Sequence, residues 1–225
     1  MTAGLTATGV LIPSGGVRLV GDLVTVPGAA GTVVFAHGSG SGRLSPRNRH
    51  VARLLREGGL STVLVDLLDA AEAAEDVVTR RLRFDVALLV DRLADVVDWS
   101  RRHAGGGGLG LFGASTGAAA ALALAALHPE RVDSVVCRGG RPDLVPELLA
   151  EVRAPTLLVV GGADTAVLEI NQRALGQLGG PRHLHVVPGA THLFPEPGAL
   201  DTVAAVARDW FLAHPGARAA PTEEA

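Results

Sequence analysis

Short runs rich in valine and leucine alternate with longer segments of helical periodicity, and this alternation limits the folds open to the chain. Eight runs read as strands: 10–12, 18–24, 32–35, 61–65, 109–112, 134–137, 156–160 and 183–187. The later runs are almost wholly apolar, which is typical of strands covered on both faces. Helical patterns fall at 46–57, 86–102, 116–128, 142–151, 167–178 and 200–213. The alternation predicts an α/β fold with about eight strands in a mostly parallel sheet and helices on both faces.

Two connections refine this prediction. PSGG at 13–16 leaves no room for a helix, so the first two strands should pair antiparallel at one edge of the sheet. The charged run at 69–85 is interpreted as an exposed connection or a short helix. We expect a single domain over 1–214 and a disordered tail over 215–225.

Composition excludes several classes of function. The net charge of −3 and the pI near 6.2, with no basic block, argue against nucleic acid or an anionic membrane as partner. All 20 basic residues are arginine, so Schiff-base chemistry and a P-loop lysine are excluded. Cys137 is the sole cysteine and cannot form an internal disulfide. No signal-peptide pattern and no long apolar run are present, so we expect a cytoplasmic, soluble protein.

The sequence GASTG at 113–117 lies between the apolar run at 109–112 and an alanine-rich helical segment. Glycines two residues before and after a serine relieve the crowding of an abrupt strand-to-helix turn, the nucleophile elbow. Such a turn lifts the Ser115 hydroxyl above the carboxyl edge of the sheet. It also places the Thr116 N–H at a helix N-terminus, where it can stabilise an oxyanion. The alternative is a plain tight turn with an incidental serine.

The same region matches G-x-G-x-x-G at Gly108, Gly110 and Gly113, which raises the possibility of a dinucleotide site. In such sites the glycines follow the strand and open the helix, whereas here they precede the strand and lie within it. No acidic residue follows the apolar run of the next strand at the expected distance of about 20 positions either. A nucleotide-binding protein therefore stays a minor alternative.

A nucleophilic serine needs a base, and eight histidines compete for that role. His192 is the favoured base, because it lies in a Gly/Pro-rich loop directly after the last strand. Six of the others have ordinary explanations as helix ends, a helix surface or a strand face: His103, His128, His214, His50, His183 and His185. The His-x-His spacing at 183–185 could hold a metal, but no carboxylate or cysteine accompanies it, so no metal site is predicted.

The acid that orients this base should also follow a strand. Asp164 does so in GGAD, and the order Ser115, Asp164, His192 is the order of the elbow architecture. Asp66 and Asp143 follow other strands and are rivals. For Asp164 itself the alternative role is a helix cap.

The third predicted strand is followed by HGSGSG at 37–42. A glycine-rich turn there can direct the Ser39 N–H at the same oxyanion as the Thr116 N–H. A phosphate cradle is disfavoured because no G-K-[ST] follows.

Through HGSGSG, GASTG, GGAD and GATHLF the chain resembles the α/β-hydrolases, most of all the dienelactone hydrolase-like group, from about residue 31 to 211. The resemblance implies Ser115 as nucleophile, Asp164 as acid, His192 as base, and independence from metals and cofactors. Dienelactone hydrolases proper carry cysteine at the elbow. Because this chain has serine there, and Cys137 follows a different strand, general ester hydrolysis is implied instead.

Lids of α/β-hydrolases usually insert between the sixth and seventh strands, and the short interval 138–154 predicts an open site without a large lid. Arg138 and Arg141 follow the sixth strand and could clamp a substrate carboxylate, or merely form surface ion pairs. Arg47 and His37 are weaker candidates to contact substrate, and Arg83 could line the same edge.

The sequence therefore predicts a serine hydrolase that cleaves small carboxylic esters through an acyl-enzyme, with no metal and no cofactor. Its partner is a small-molecule ester, and a homodimer is left open. Acyl transfer or thioester hydrolysis would use the same residues. A ligand-binding module that has lost turnover is a further alternative.

Overall fold

The computed structural model describes residues 6–105 and 107–216 as an eight-stranded sheet with helices on both faces. The strands are β1 (Thr8–Ser14), β2 (Val17–Val24), β3 (Gly31–Ala36), β4 (Ser61–Val65), β5 (Gly108–Ala114), β6 (Ser134–Arg138), β7 (Thr156–Gly161) and β8 (Arg182–Val187). The α-helices are α1 (Pro46–Glu57), α2 (Ala70–Thr79), α3 (Val86–His103), α4 (Thr116–Leu127), α5 (Thr165–Leu175) and α6 (Ala199–Ala213). The predicted α/β class and strand count are confirmed.

The strand order across the sheet is β1-β2-β4-β3-β5-β6-β7-β8. From β4 to β8 all neighbours are parallel, whereas β1 pairs antiparallel with β2, and β2 with β4. The hairpin predicted from PSGG is therefore present at the edge. Parallel strands bring their carboxyl ends to one rim, so the loops after β3, β5, β6, β7 and β8 meet there.

Two apolar cores fill the space between the sheet and its helices. On one face α3 and α4 pack together and cover Val34, Leu111 and Cys137. On the other face α1 packs on α6 and covers a smaller core that includes Phe35 and Phe112. Central strands β3 to β7 are buried along their length, while β8 is an edge strand with exposed residues. The prediction that late strands are covered on both faces therefore holds for β6 and β7 but is wrong for β8.

The segment 142–151 departs from the predicted single helix. Two 3₁₀-helices, Pro142–Leu144 and Pro146–Glu151, occupy it. Pro146 explains the break, because it has no N–H to continue an α-helix and its ring would clash with the preceding turn. Over 69–85 the structure has α2 and a 3₁₀ turn, Leu82–Phe84. The predicted tail at 215–225 lies almost wholly outside the described residues.

Across the described ranges, none of the helices combines the length and apolar character needed to cross a bilayer.

Candidate active site

Ser115 lies at the junction of β5 and α4 with φ 51° and ψ −119°, a backbone conformation that a residue other than glycine rarely adopts. Close packing explains the flanking glycines. A Cβ on Gly113 would lie 2.5 Å from Ala118 Cα, and one on Gly117 would lie 2.2 Å from Ala36 O. The first glycine thus lets α4 turn back on its own strand, and the second lets α4 approach β3. The strained serine and its helix have the geometry of a nucleophile elbow.

His192 and Asp164 meet at the rim. The Nδ1 atom of His192 lies 2.6 Å from Asp164 Oδ2, in a contact that can be both a hydrogen bond and an ion pair. Asp164 precedes α5 but makes no side-chain cap hydrogen bond to it, so its carboxylate is directed at the histidine. The Asp164 side chain is 15% exposed and that of His192 is 38% exposed. The imidazole is therefore held by a largely buried carboxylate but is itself partly open to the solvent, so that it can exchange protons with a substrate.

The two rival carboxylates have other partners. Asp66 Oδ1 accepts from the Arg43 N–H at 2.6 Å, and its Oδ2 pairs with Arg43 Nε at 3.1 Å. Asp143 accepts two hydrogen bonds from Arg141, at 2.8 and 2.7 Å. Neither forms a hydrogen bond or an ion pair with a histidine within the described part of the chain.

Residues 138 and 139 join the serine to the histidine. The Ser115 N–H donates to Arg138 O at 3.1 Å, and a Cβ on Gly139 would lie 3.3 Å from His192 Cε1. Gly139 has φ +52° and leaves room for the imidazole. Among the described residues no hydrogen bond joins Ser115 Oγ to His192. Such contacts are often long in the absence of substrate and shorten when the substrate is bound.

The loop after β3 packs directly against the elbow. A Cβ on Gly38 would lie 2.9 Å from Ala114 O and 3.0 Å from Ser115 Cβ, so only glycine fits there. The Ser39 N–H donates to Thr116 Oγ1 at 2.8 Å. The Thr116 N–H, at the start of α4, has no acceptor among the described residues. The two N–H groups expected to bind an oxyanion therefore lie beside each other and beside the serine.

His37 holds this loop with its ring. Its Nε2 accepts from the Leu67 N–H at 3.1 Å, and its Nδ1 lies 3.0 Å from Gly38 O. Burial lowers the pKa of His37 below its ordinary value, against the opposing effects of the Gly38 carbonyl and Asp66. The neutral ring with its proton on Nδ1 satisfies both contacts. Although it lines the cavity described next, its two ring nitrogens are committed to the backbone.

A cavity of about 370 Å³ opens beside Ser39 and Thr116. Its apolar walls are formed by Val20, Leu68, Ala70, Ala73, Val77 and Leu89. Three of these, Ala70, Ala73 and Val77, belong to α2. The segment 69–85 therefore forms a wall of the cavity. Sequence reasoning missed this role, although Ala70, Ala73 and Val77 follow the i, i+3, i+7 spacing of one helix face. Because acidic residues lie between them, the sequence analysis interpreted the segment as a charged, exposed connection or a short helix.

The candidate arginines differ in whether a carboxylate is paired with them. Arg141 is held by Asp143 on the surface, as its surface alternative predicted. Arg138 is buried, with 7% of its surface exposed, and Arg47 of α1 is near enough to disfavour its charge. Arg83 is paired with Asp76 at 2.5 Å and lines the cavity.

The described residues contain no group of three or more metal-ligating side chains.

Comparisons with known proteins agree with the fold. A family model described as alpha/beta hydrolase fold matches residues 31–187. A crystal structure of dienelactone hydrolase from Anabaena variabilis is 49% identical with a TM-score of 0.90, and the match covers 94% of this chain and 99% of that one. Est1E from Butyrivibrio proteoclasticus, 16% identical with a TM-score of 0.78 over 92% of this chain and 98% of that one, shares the fold. The chain belongs to the α/β-hydrolase family and, within it, to the dienelactone hydrolase-like group.

Two curated relatives from Mycobacterium tuberculosis strains are 50% identical over 207 residues and carry the name "Putative phosphoribosyl transferase". The match covers 91% of this chain but only 46% of each relative. The chain thus spans about half the length of those proteins, and their name describes the longer chain.

Proposed function

We propose that this hydrolase cleaves small carboxylic esters by way of a covalent acyl-enzyme on Ser115. The observation that carries the proposal is the His192–Asp164 pair at 2.6 Å, on the same rim as a serine with φ 51°. A serine hydroxyl alone is a weak nucleophile, and an imidazole oriented by a carboxylate is the group that activates it.

The contact with Asp164 sets the tautomer and the ring orientation of His192. Asp164 accepts the Nδ1–H, which leaves the lone pair of Nε2 free to take a proton. The carboxylate also stabilises the imidazolium that forms when the serine proton is transferred.

The reaction has two halves. Ser115 Oγ attacks the carbonyl carbon while His192 Nε2 takes the hydroxyl proton, and the carbonyl oxygen becomes an oxyanion bound by the N–H groups of Ser39 and Thr116. The intermediate collapses, the C–O bond to the alcohol breaks, and His192 returns its proton to the departing alkoxide. Water, deprotonated by His192, then attacks the acyl-enzyme, and the acid leaves as Ser115 regains its proton. No step needs a metal or a cofactor.

The cavity beside Ser39 and Thr116 is the proposed site for one side of the ester. Its volume of about 370 Å³ lies at the lower end of the range for small-ligand sites, and its walls are mainly apolar. Both features favour a short aliphatic or small aromatic group. Acyl transfer and thioester hydrolysis would use the same groups and differ only in the nucleophile or the leaving group.

A panel of 4-nitrophenyl esters from acetate to octanoate, with matched thioesters and an added alcohol acceptor, tests the proposal. Ser115→Ala should abolish turnover, and a fluorophosphonate should label Ser115 in mass spectrometry. Cys137→Ala is the matched control, because burial raises the pKa of that thiol to about 12 and leaves it inert. Activity retained in Ser115→Ala, or turnover confined to thioesters, would refute the ester hydrolase.

A further inference from the structure

Asn171 of α5 is fully buried and binds the loop that follows β6. Its Nδ2 atom donates to Gly140 O at 2.9 Å and to Val167 O, one turn earlier in the same helix, at 2.8 Å. A carbonyl inside a helix is already paired with a backbone N–H of that helix. Gly140 O, in contrast, has no other donor among the described residues. The Asn171 amide is therefore the group that satisfies this loop carbonyl.

The amide itself is incompletely satisfied. The Oδ1 atom of Asn171 is buried and has no hydrogen-bond donor in the described part of the chain. An unpaired buried oxygen costs stability, and an apolar side chain of the same size would avoid that cost. Stability alone therefore does not account for an amide at this position, and its bond to Gly140 O points to a role in the loop.

The loop after β6 holds the backbone of the elbow serine on both sides. The Ser115 N–H donates to Arg138 O at 3.1 Å, and the Arg141 N–H donates to Ser115 O at 3.2 Å. A Cβ on Gly139 would lie 3.3 Å from His192 Cε1, so the same loop also contacts the histidine ring. A shift of this loop would move the strained serine and the imidazole together.

Gly140 lies between two helices of the site. A Cβ on Gly140 would lie 2.9 Å from Ala118 Cβ, so the loop is pressed against α4, the helix that begins after Ser115. The Asn171 amide holds the loop from the side of α5. Asp164 immediately precedes α5 and lies seven residues before Asn171, about two helical turns. One helix therefore follows the acid and anchors the loop that holds the other two catalytic residues.

We propose that Asn171 is a positioning residue: its bond to Gly140 O fixes the loop after β6 and so sets the placement of Ser115 relative to His192. Asn171 acts through the loop and not on the substrate. A displacement of reacting groups by about 1 Å can cost about 100-fold in rate, so a small movement of the loop is enough to matter. The role rests on the proposed function.

The first test compares Asn171→Leu with Thr156→Val. Asn171→Leu keeps the volume and removes the donor. It should lower kcat on 4-nitrophenyl acetate and the rate of fluorophosphonate labelling at Ser115 by about 10- to 100-fold. KM should stay close to wild type, because the cavity beside Ser39 is untouched. Thr156→Val removes a comparable buried bond, from Oγ1 to Ala154 O at 2.9 Å, at the opposite end of the sheet. It should lower the Tm but leave kcat and the labelling rate unchanged.

Asn171→Asp separates hydrogen bonding from packing. A carboxyl group can donate to Gly140 O only when it is protonated, and burial favours the protonated form. The labelling rate relative to wild type should therefore be highest at low pH and fall as the pH rises, whereas the ratio for Asn171→Leu should not depend on pH. If Asn171→Leu fails to fold, Asn171→Asp at the two ends of the pH range gives the comparison. Equal pH dependence of the two ratios would mean that the bond to Gly140 O does not set the rate.

The third measurement does not depend on turnover. The Cε1–H resonance of the His192 ring, assigned by its absence in His192→Ala, should shift in Asn171→Leu and stay in place in Thr156→Val, because Gly139 faces that carbon. A wild type that neither cleaves esters nor is labelled, with this shift present, would refute the hydrolase alone. Wild-type kcat, labelling rate and resonance position in Asn171→Leu would overturn the positioning role, whatever the change in Tm.

Discussion

The Ser39 N–H donates a 2.8 Å hydrogen bond to the side-chain hydroxyl of Thr116, the residue after the elbow serine. This bond ties the loop after β3 to the first turn of α4 and holds the two expected oxyanion donors together. An oxyanion must replace the hydroxyl as acceptor of the Ser39 N–H. The exchange is favourable because a hydrogen bond to a charged oxygen is about twice as strong as one to a neutral oxygen.

Thr116→Val should lower kcat on a 4-nitrophenyl ester by up to about tenfold, because the loop loses its tether while both N–H groups remain. Thr116→Ser keeps the hydroxyl and should stay close to wild type. Steady-state kinetics of the two variants make the comparison. A faster Thr116→Val enzyme would mean that the hydroxyl only competes with the oxyanion.

His192→Ala should reduce kcat about as much as Ser115→Ala, by roughly four to six orders of magnitude, because residues of a catalytic unit fail together. Asp164→Asn should be severe but less so, since the amide no longer orients or stabilises the imidazolium. Asp66→Asn and Asp143→Asn are the matched controls, as both carboxylates have arginine partners. A larger loss in either control than in Asp164→Asn would move the acid to that position.

The fold could be predicted largely from the sequence, because the spacing of apolar residues and the glycines and prolines between elements are local signals. Each of the eight strands lies where an apolar run predicts it, within two residues at each end. The elbow was equally visible, because Gly113 and Gly117 are required by contacts close in sequence and by the neighbouring strand. The single helix predicted at 142–151 was wrong because Pro146, in its interior, cannot continue an α-helix.

Contacts between side chains that lie far apart in the sequence were harder to predict. Arg138 and Arg141 look alike in CRGGRPD, yet Arg138 is buried with two nitrogen atoms that lack an acceptor among the described residues, whereas Arg141 is paired with Asp143. Asp164 and its rivals also follow strands in the same way, and only the position of His192 distinguishes them. The contribution of α2 to the cavity depends on how the chain folds back over β2 and α3, which no local pattern encodes.

Ala73→Leu should narrow the cavity and shift chain-length preference toward short esters. The added carbon atoms would occupy space that a long chain needs, and one methylene in an apolar pocket changes kcat/KM by about 10- to 200-fold. The ratio of kcat/KM for octanoate to that for acetate is the measurement. Ala74→Leu, on the next residue of α2 but outside the cavity, is the control. An unchanged ratio in Ala73→Leu would show that the acyl chain does not enter this cavity.

The last prediction concerns the pH dependence of stability and starts from the buried ring of His37. Because burial lowers the pKa of His37 in the folded protein, the unfolded chain takes up a proton near the ordinary value of about 6.5 while the folded chain does not. The contribution of His37 to stability is therefore complete above about pH 6.5 and falls as the pH drops toward the lowered pKa.

Replacing His37 with glutamine removes the titration, so the difference in unfolding free energy between wild type and His37→Gln should shrink from pH 7.5 to pH 5. Urea denaturation at several pH values measures that difference. His183→Gln, at an exposed position of β8, should keep the wild-type pH dependence. A difference that stays constant as the pH falls would mean that folding does not shift the pKa of His37, and one that grows would mean that the pKa is raised; either result would contradict a neutral buried ring whose Nε2 accepts from the Leu67 N–H.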